Sequence, residues 1–357
     1  MKLFVCDICG NRLYFENVSC TRCGATLGWL PGSMRLAALN PIGDGSWAAV
    51  GQDRPVRMCQ NYSGQGVCNW MVDASDDSPF CLACRLNRTI PDLSVPGQRE
   101  LWRVVEAEKR RLVYSLLRFG LPVTAQSDGL CFDFLADPPG GSYGRDRVTT
   151  GHRDGVITIN VAEADPAWRE QMRANMDEPY RTTLGHFRHE SGHYYWETLI
   201  RAGDRLAAWR DVFGDESQDY ARSMQNHYDN GPPPGWQSRF VSGYASMHPW
   251  EDWAESWAHY LHIVDTQETA GQYGLKMESP SSDDHLSAVW RDLDPYGHDD
   301  FETIFECWLP LTYVLNGLNR SMGHGDAYPF VLSRPAIEKL AFVHRVIREA
   351  SEERDAS

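Results

Sequence analysis

Three groups of residues in this 357-residue chain have the types and spacing to hold metal. The first is HESGH at residues 189–193, where two histidines four apart flank a glutamate. On a helix, four residues leave His189 and His193 within about 40° of each other, so both imidazoles reach one ion while Glu190 projects from the adjoining face. Two histidines that bind zinc and a glutamate that takes a proton from water need this arrangement. Composition alone yields such a match on the order of once in a hundred chains of this length, so the assignment requires a third ligand.

Eight of the ten cysteines fall in the first 84 residues. Cys6, Cys9, Cys20 and Cys23 form two Cys-x2-Cys knuckles ten residues apart, a spacing that closes on one tetrahedral ion. Cys59, Cys68, Cys81 and Cys84 form a looser set with one tight knuckle, and we expect a second four-cysteine site there. The competing reading makes Cys59 and Cys68 ordinary buried thiols. Four thiolates accept zinc or iron. A ribbon this small has little core, so metal supplies much of its folding free energy. Cys131 and Cys307 lack partners at metal spacing and read as small buried hydrophobes.

The third ligand is sought in GYASMHPWEDWAESWAHYLHIV, residues 243–264. Pro249 opens a helix there, and Glu251 and Glu255 lie one turn apart. Two carboxylates facing one buried centre repel each other unless one binds metal and the other orients a ligand histidine. Glu251 as ligand and Glu255 as orienter satisfy both conditions. The competing reading is a solvated acidic edge. Trp250, Trp253, Trp257 and Leu261 are expected to anchor the rest of this helix in the core. Glu197, one turn beyond His193, is a weaker ligand candidate because it drifts around the helix from His189. His186 is read as solvent-facing, and His227, Asp229 and His248 as structural, with 227–229 in a turn-rich segment.

A metzincin would need glycine and histidine where Trp196 and Leu199 stand, which excludes that class. The pattern instead resembles the gluzincin metallopeptidases, and Tyr244, Glu251 and Glu255, spaced Y-x6-E-x3-E, look like lethal-factor-type members. The whole layout resembles a bacterial family of zinc-binding metallopeptidases with an N-terminal zinc ribbon. Residue by residue, the resemblance implies that His189, His193 and Glu251 are zinc ligands, Glu190 the general base and Tyr244 the oxyanion-stabilising electrophile. Trp250 stands where thermolysin-like proteins have asparagine, a departure from that branch. The implied activity is peptide-bond hydrolysis with a metal-activated water, one catalytic zinc and two structural ions.

The elements that must position these residues follow from the surrounding pattern. NRTIPDLSVPGQ, ending at residue 98, reads as a linker. We place a β-rich ribbon region with both cysteine sites at 1–92 and a zincin-like domain at 93–357. The fold class is α+β: a small zinc-ribbon domain followed by a mainly helical metallopeptidase domain. Leu101, Val105, Leu112, Leu116 and Phe119 recur at helical spacing. LCFDFL (130–135) and GVITINV (155–161) read as strands, with Ile157, Ile159 and Val161 on one face of the second. That strand is either an unpaired edge that holds an extended peptide or an ordinary core strand. Between the two strands runs a long glycine-rich loop. Asp177, Glu178 and Pro179 open the histidine helix, which runs through Gly185 and Gly192. The tail after Ser333 reads as a closing amphipathic helix.

Charge and composition bound the alternatives. Hydrophobic residues make up 42% of the chain and charged residues 23%, the profile of a folded globular protein. No apolar run reaches the length of a membrane span, and no cleavable leader is visible at the start. With reduced, metal-type cysteine spacing, this predicts a cytoplasmic protein. Residues 1–100 carry nine basic and nine acidic residues, so the net charge of −15 belongs to the remainder. That balance argues against nucleic acid as partner and favours a protein partner docking at the ribbon, while a peptide or protein substrate is what the resemblance implies. The alternative function is a catalytically inert, zinc-stabilised protein- or nucleic-acid-binding factor.

Overall fold

The computed structural model describes residues 1–124, 129–138, 147–175, 182–278, 288–290 and 293–355. The expected helix opening at Asp177 to Pro179 and the middle of the glycine-rich loop lie outside them. The fold is α+β, with a β-rich, cysteine-bearing region followed by a mainly helical one. The chain divides into two compact units, Met1–Val113 with Val123–Gln171, and Tyr114–Pro122 with Met172–Ser357.

In the first unit, β1 (Phe4–Val5) and β2 (Arg12–Leu13) make a hairpin around the first knuckle. A five-stranded antiparallel sheet follows in the order β3 (Leu27–Leu30), β4 (Arg35–Gly43), β5 (Ser46–Ala49), β6 (Val56–Met58) and β7 (Met71–Asp73). Its core is small: Leu30, Ala37, Leu39, Ala49, Val56 and Met71 cluster together. Phe15 and Phe4 stand edge-on to Trp29, 4.8 and 5.4 Å between ring centres, a geometry that adds to what area burial alone gives. Gly28 lets β3 lie close against Met71 and Leu39: a Cβ there would lie 2.5 Å from the Met71 sulfur and 2.9 Å from Leu39 Cδ1, so those side chains would have to shift. A one-turn helix, α1 (Gln60–Ser63), follows Cys59.

A second sheet in this unit has the order β10-β11-β9-β8, made from β8 (Asn87–Thr89), β9 (Cys131–Leu135), β10 (Gly151–Arg153) and β11 (Val156–Asn160). Strand β8 occupies the start of the segment expected as a linker. It pairs parallel to β9, and the Arg88 guanidinium holds the Asp133 carboxylate of that neighbour. Strand β11 corrects the edge reading: Val156 to Thr158 pair with β9 on one side and β10 on the other. Ile157 and Ile159 are fully buried, as an ordinary core strand requires. Asn160 is buried too, donating to Asp137 Oδ1 at 2.9 Å, so burial does not alternate cleanly at that end.

Helix α2 (Gln98–Arg118) forms where the apolar spacing predicts it, with Val105, Leu112 and Leu116 fully buried. Helix α3 (Pro166–Asn175) follows the second sheet. The second unit contains α4 (Thr183–Tyr195), α5 (Leu206–Phe213), α6 (Tyr220–Asn230), α7 (Pro249–Gln272), α8 (Phe301–Ser321) and α9 (Arg334–Asp355). Helix α7 is central, packing on α4, α5, α8 and α9. Trp253, Trp257 and Leu261 are fully buried on it. The segment around His227 and Asp229, expected as turns, is helix α6 instead. Asp219 caps it by accepting from Arg222 N–H at 3.0 Å, and no breaker intervenes before Gly231 at φ 71°.

Candidate metal centre

Helix α4 is set at its start by Thr182, whose hydroxyl oxygen accepts from the Gly185 amide at 2.9 Å, a capping contact of the kind worth about 1 kcal/mol. Gly192 then allows α4 and α7 to approach closely. A Cβ at that position would lie 3.0 Å from the Ala254 Cα and 3.1 Å from the Trp257 Cβ. Two indoles lock the contact: Trp253 Nε1 donates to Gly192 O at 2.8 Å and Trp257 Nε1 to Ser191 Oγ at 3.1 Å. Helix α7 begins at Pro249, with His248 Nδ1 accepting from Trp250 N–H at 3.1 Å and His248 Nε2 donating to Gln218 O at 3.2 Å. His248 is thus a helix cap.

The two helices bring His189, His193 and Glu251 together, with one donor atom of each within 4.8 Å of the others. Glu251 Oε2 lies 2.9 Å from His189 Nε2 and 3.5 Å from His193 Nε2. Two ligands about 2.0 Å from one tetrahedral ion stand roughly 3.3 Å apart, and two imidazoles with a carboxylate are a zinc-type donor set, so these residues fit the metal. The other nitrogen of His189, Nδ1, shares a 2.7 Å hydrogen bond with Glu255 Oε1, and Ser242 Oγ donates to Glu255 Oε2 at 2.5 Å. The Glu251 and Glu255 pair is not a solvated edge: Glu251 is 1% exposed.

The electrostatics are those of a site built to receive positive charge. Burial alone would favour neutral His189, yet Glu251 and Glu255 on its two nitrogens hold its pKa well above the ordinary value. Burial likewise opposes the Glu251 charge, but His193 and His189 beside it hold its pKa well below the carboxylate range. Glu190 is raised by burial, against the pull of His189 and His193. Tyr244 lies on a short 3-10 turn, Tyr244–Ser246, with its ring centre 5.9 Å from that of His189. Burial and the neighbouring Glu251 charge raise its pKa well above that of a free phenol, so it stays a proton donor.

Glu197 does not join the centre. The helix widens to a π turn over Trp196–Arg201, where the Ala202 amide reaches back five residues to Glu197 O at 3.0 Å, and the Glu197 carboxylate accepts from Arg201 at 2.7 Å. Trp250, expected as a core anchor, instead lies over the His193 ring with 3.8 Å between centres. His186 is half-buried, and His227 stands perpendicular to Tyr244 at 5.7 Å. Sequence reasoning missed Tyr220, whose hydroxyl donates to Glu251 Oε1 at 2.8 Å, and Ser242. Neither sits at a helical spacing from its partner; the available signal was the Asp219 cap that makes Tyr220 the first residue of a helix.

Both cysteine sets converge. In the first, Cys6 and Cys23 sulfurs are 3.6 Å apart, as are Cys9 and Cys20; in the second, Cys68 and Cys81 are 3.8 Å apart. Tetrahedral thiolates about 2.3 Å from a zinc ion stand roughly 3.8 Å apart. The first site uses one turn twice: Gly10 and Gly24, at φ 68° and 74°, each donate to a knuckle carbonyl, Cys6 O and Cys20 O, at 2.9 Å. The second site is fully buried and ringed by charge. Arg110 donates to Val67 O next to Cys68, and Glu106, 2.7 Å from Lys109, accepts from Cys84. Cys131 and Cys307 are half-buried thiols outside these groups.

Residues 98–346 match the family described as "Putative zinc-binding metallo-peptidase", and residues 3–95 match a zinc-ribbon domain. The chain is 43% identical to uncharacterized proteins from Mycobacterium tuberculosis and Mycobacterium bovis over 357 residues, covering 98% of this chain and 96% of each relative. No solved structure matches it. The histidine centre falls inside the first matched region and both cysteine sets inside the second, and the chain belongs to this zinc-binding metallo-peptidase family.

Proposed function

We propose that the protein is a zinc-dependent peptide-bond hydrolase of the gluzincin type, with HESGH as its HExxH motif and Tyr244, Glu251 and Glu255 as its lethal-factor-like second motif. The observation that carries this reading is the convergence of His189, His193 and Glu251 donor atoms next to Glu190. In it, His189, His193 and Glu251 hold the catalytic ion and Glu255 orients His189. Zinc in such a centre supplies Lewis acidity to a water and to a substrate carbonyl. Glu190 accepts the proton of the attacking water and returns it to the leaving amine, a shuttle suited to a carboxylate whose pKa is raised. Tyr244 donates its phenolic hydrogen to the oxygen of the attacked carbonyl, where charge develops. The products are a new carboxylate and a new amine.

In this reading the four-cysteine sets each hold a structural ion, residues 1–92 form the ribbon region and 93–357 the peptidase domain, and the ribbon presents a surface to protein partners. Thiolate sites of this kind suit a reducing compartment, and we place the protein in the cytoplasm. Among the described residues, no helix is long and apolar enough to cross a membrane.

A peptide library incubated with wild type and Glu190→Gln tests the proposal. Wild type cleaves peptide bonds, and Glu190→Gln loses about 10²–10⁴-fold of that turnover while keeping its zinc content and melting temperature. Undiminished turnover in the glutamine variant removes Glu190 from the base role.

A further inference from the structure

The two oxygens of Glu251 have different partners. Oε2 faces the histidine pair, at 2.9 Å from His189 Nε2 and 3.5 Å from His193 Nε2, whereas Oε1 accepts the Tyr220 hydroxyl at 2.8 Å. The phenol is itself well held. Tyr220 begins α6 immediately after its Asp219 cap, and its ring stands edge-on to His248 at 5.3 Å and to Trp250 at 5.9 Å. His248 caps α7 two residues before Trp250, and its bond to Gln218 O ties that cap to the segment leading into α6.

A carboxylate free to turn can offer an ion one oxygen or both. A phenolic hydrogen on Oε1 fixes the carboxylate torsion, draws electron density from that oxygen and leaves Oε2 the better donor. Catalytic zinc sites combine three protein ligand atoms with a position left for water or substrate, and a second carboxylate oxygen on the ion would crowd that position. We propose that Tyr220 is a positioning residue that holds Glu251 as a single-oxygen ligand and so keeps one position of the histidine centre open. The inference rests on the ligand set assigned above and is independent of which bond, if any, the centre hydrolyses.

The test is a Co2+ titration of the full chain with its cysteine sites kept loaded with zinc, comparing wild type with Tyr220→Phe. Affinity is read by chelator competition, coordination by the visible absorption of bound cobalt, and peptide turnover in parallel. Loss of the phenol weakens cobalt binding by about 10–100-fold, the usual effect of removing a group that orients a ligand. It also weakens the cobalt bands, because the second oxygen raises the coordination number. Melting curves of both proteins without cobalt separate loss of this contact from loss of folding. Affinity and spectrum equal to wild type overturn the proposal. A loss of turnover with both unchanged also overturns it, since Tyr220 then acts on substrate. Shifted affinity and spectrum in a protein that cleaves no peptide uphold the Tyr220 assignment and count against the peptidase reading alone.

Discussion

The cysteine sites and the histidine centre hold their donor atoms in opposite ways. In the first cysteine site Cys6 and Cys9 sit on a turn between two-residue strands and Cys20 and Cys23 on a turn flanked by the Ser19–Thr26 bridge, and the core of the sheet that follows is a handful of side chains. In the histidine centre they sit on helices of 13 and 24 residues, locked by Trp253 and Trp257 bonds to the other helix. Four thiolates also complete the shell of an ion, whereas two imidazoles and one carboxylate do not. The difference predicts that metal organises the ribbon, while the helical unit folds before any metal binds.

The strongest challenge to that contrast is removal of a ribbon ligand. Cys81→Ser should cost the chain one ion and the folding free energy that goes with it, of order 10 kcal/mol for a structural zinc site. Limited proteolysis is expected to cut within residues 1–92 while the helical region stays resistant. A ribbon that keeps its protection after losing the ion would erase the distinction.

Acid provides the corresponding attack on the helical unit. His259 is buried against the Tyr328 hydroxyl at 2.7 Å, and burial, opposed by Glu255 and reinforced by His189, lowers its pKa from 6.5 to about 4. The unfolded ring takes a proton near pH 6.5 and the folded one only near pH 4, so this contribution is complete above 6.5 and is lost as pH falls toward 4. Its size is up to about 3 kcal/mol. Urea midpoints measured across that window should fall in wild type and flatten in His259→Gln.

Gly192→Ala sharpens the comparison further, because it strains the helix contact without touching a ligand. The added methyl meets backbone at 3.0 Å, and a destabilisation of about 1–3 kcal/mol is expected, visible in thermal melts together with weaker binding of the third ion. A melt equal to wild type would mean that the helices separate at no cost.

Glu251→Ala should have the smallest effect on stability. Elemental analysis should show one ion fewer per chain than wild type, with the melting temperature moving by only a few degrees. Collapse of the helical unit in this variant would show that it, too, depends on metal.

Much of this organisation is legible in the sequence because it is carried by local periodicity. Cys-x2-Cys spacing, the four-residue step from His189 to His193 and the one-turn step from Glu251 to Glu255 each specify a shared face or turn. What escaped is carried by contacts between distant segments. Tyr220 and Glu251 are 31 residues apart, and nothing in the spacing of either predicts their meeting. Strand β8 hides in a proline-rich stretch because its partner β9 lies more than forty residues later. Glu197 was legible too: its drift around the helix from His189 set it aside as a ligand, and its carboxylate pairs with Arg201 four residues on.

The unequal exposure of the two cysteine sites has a consequence in time. Cys23 is open to solvent and Cys9 partly so, whereas Cys59, Cys68, Cys81 and Cys84 are all buried. Thiol-directed oxidants and alkylating agents act on the sulfurs they can reach, so under such stress the first site is expected to lose its ion before the second. The ribbon would then age from its first cysteine site inward, passing through a chain that has lost one ion while the buried set is still intact.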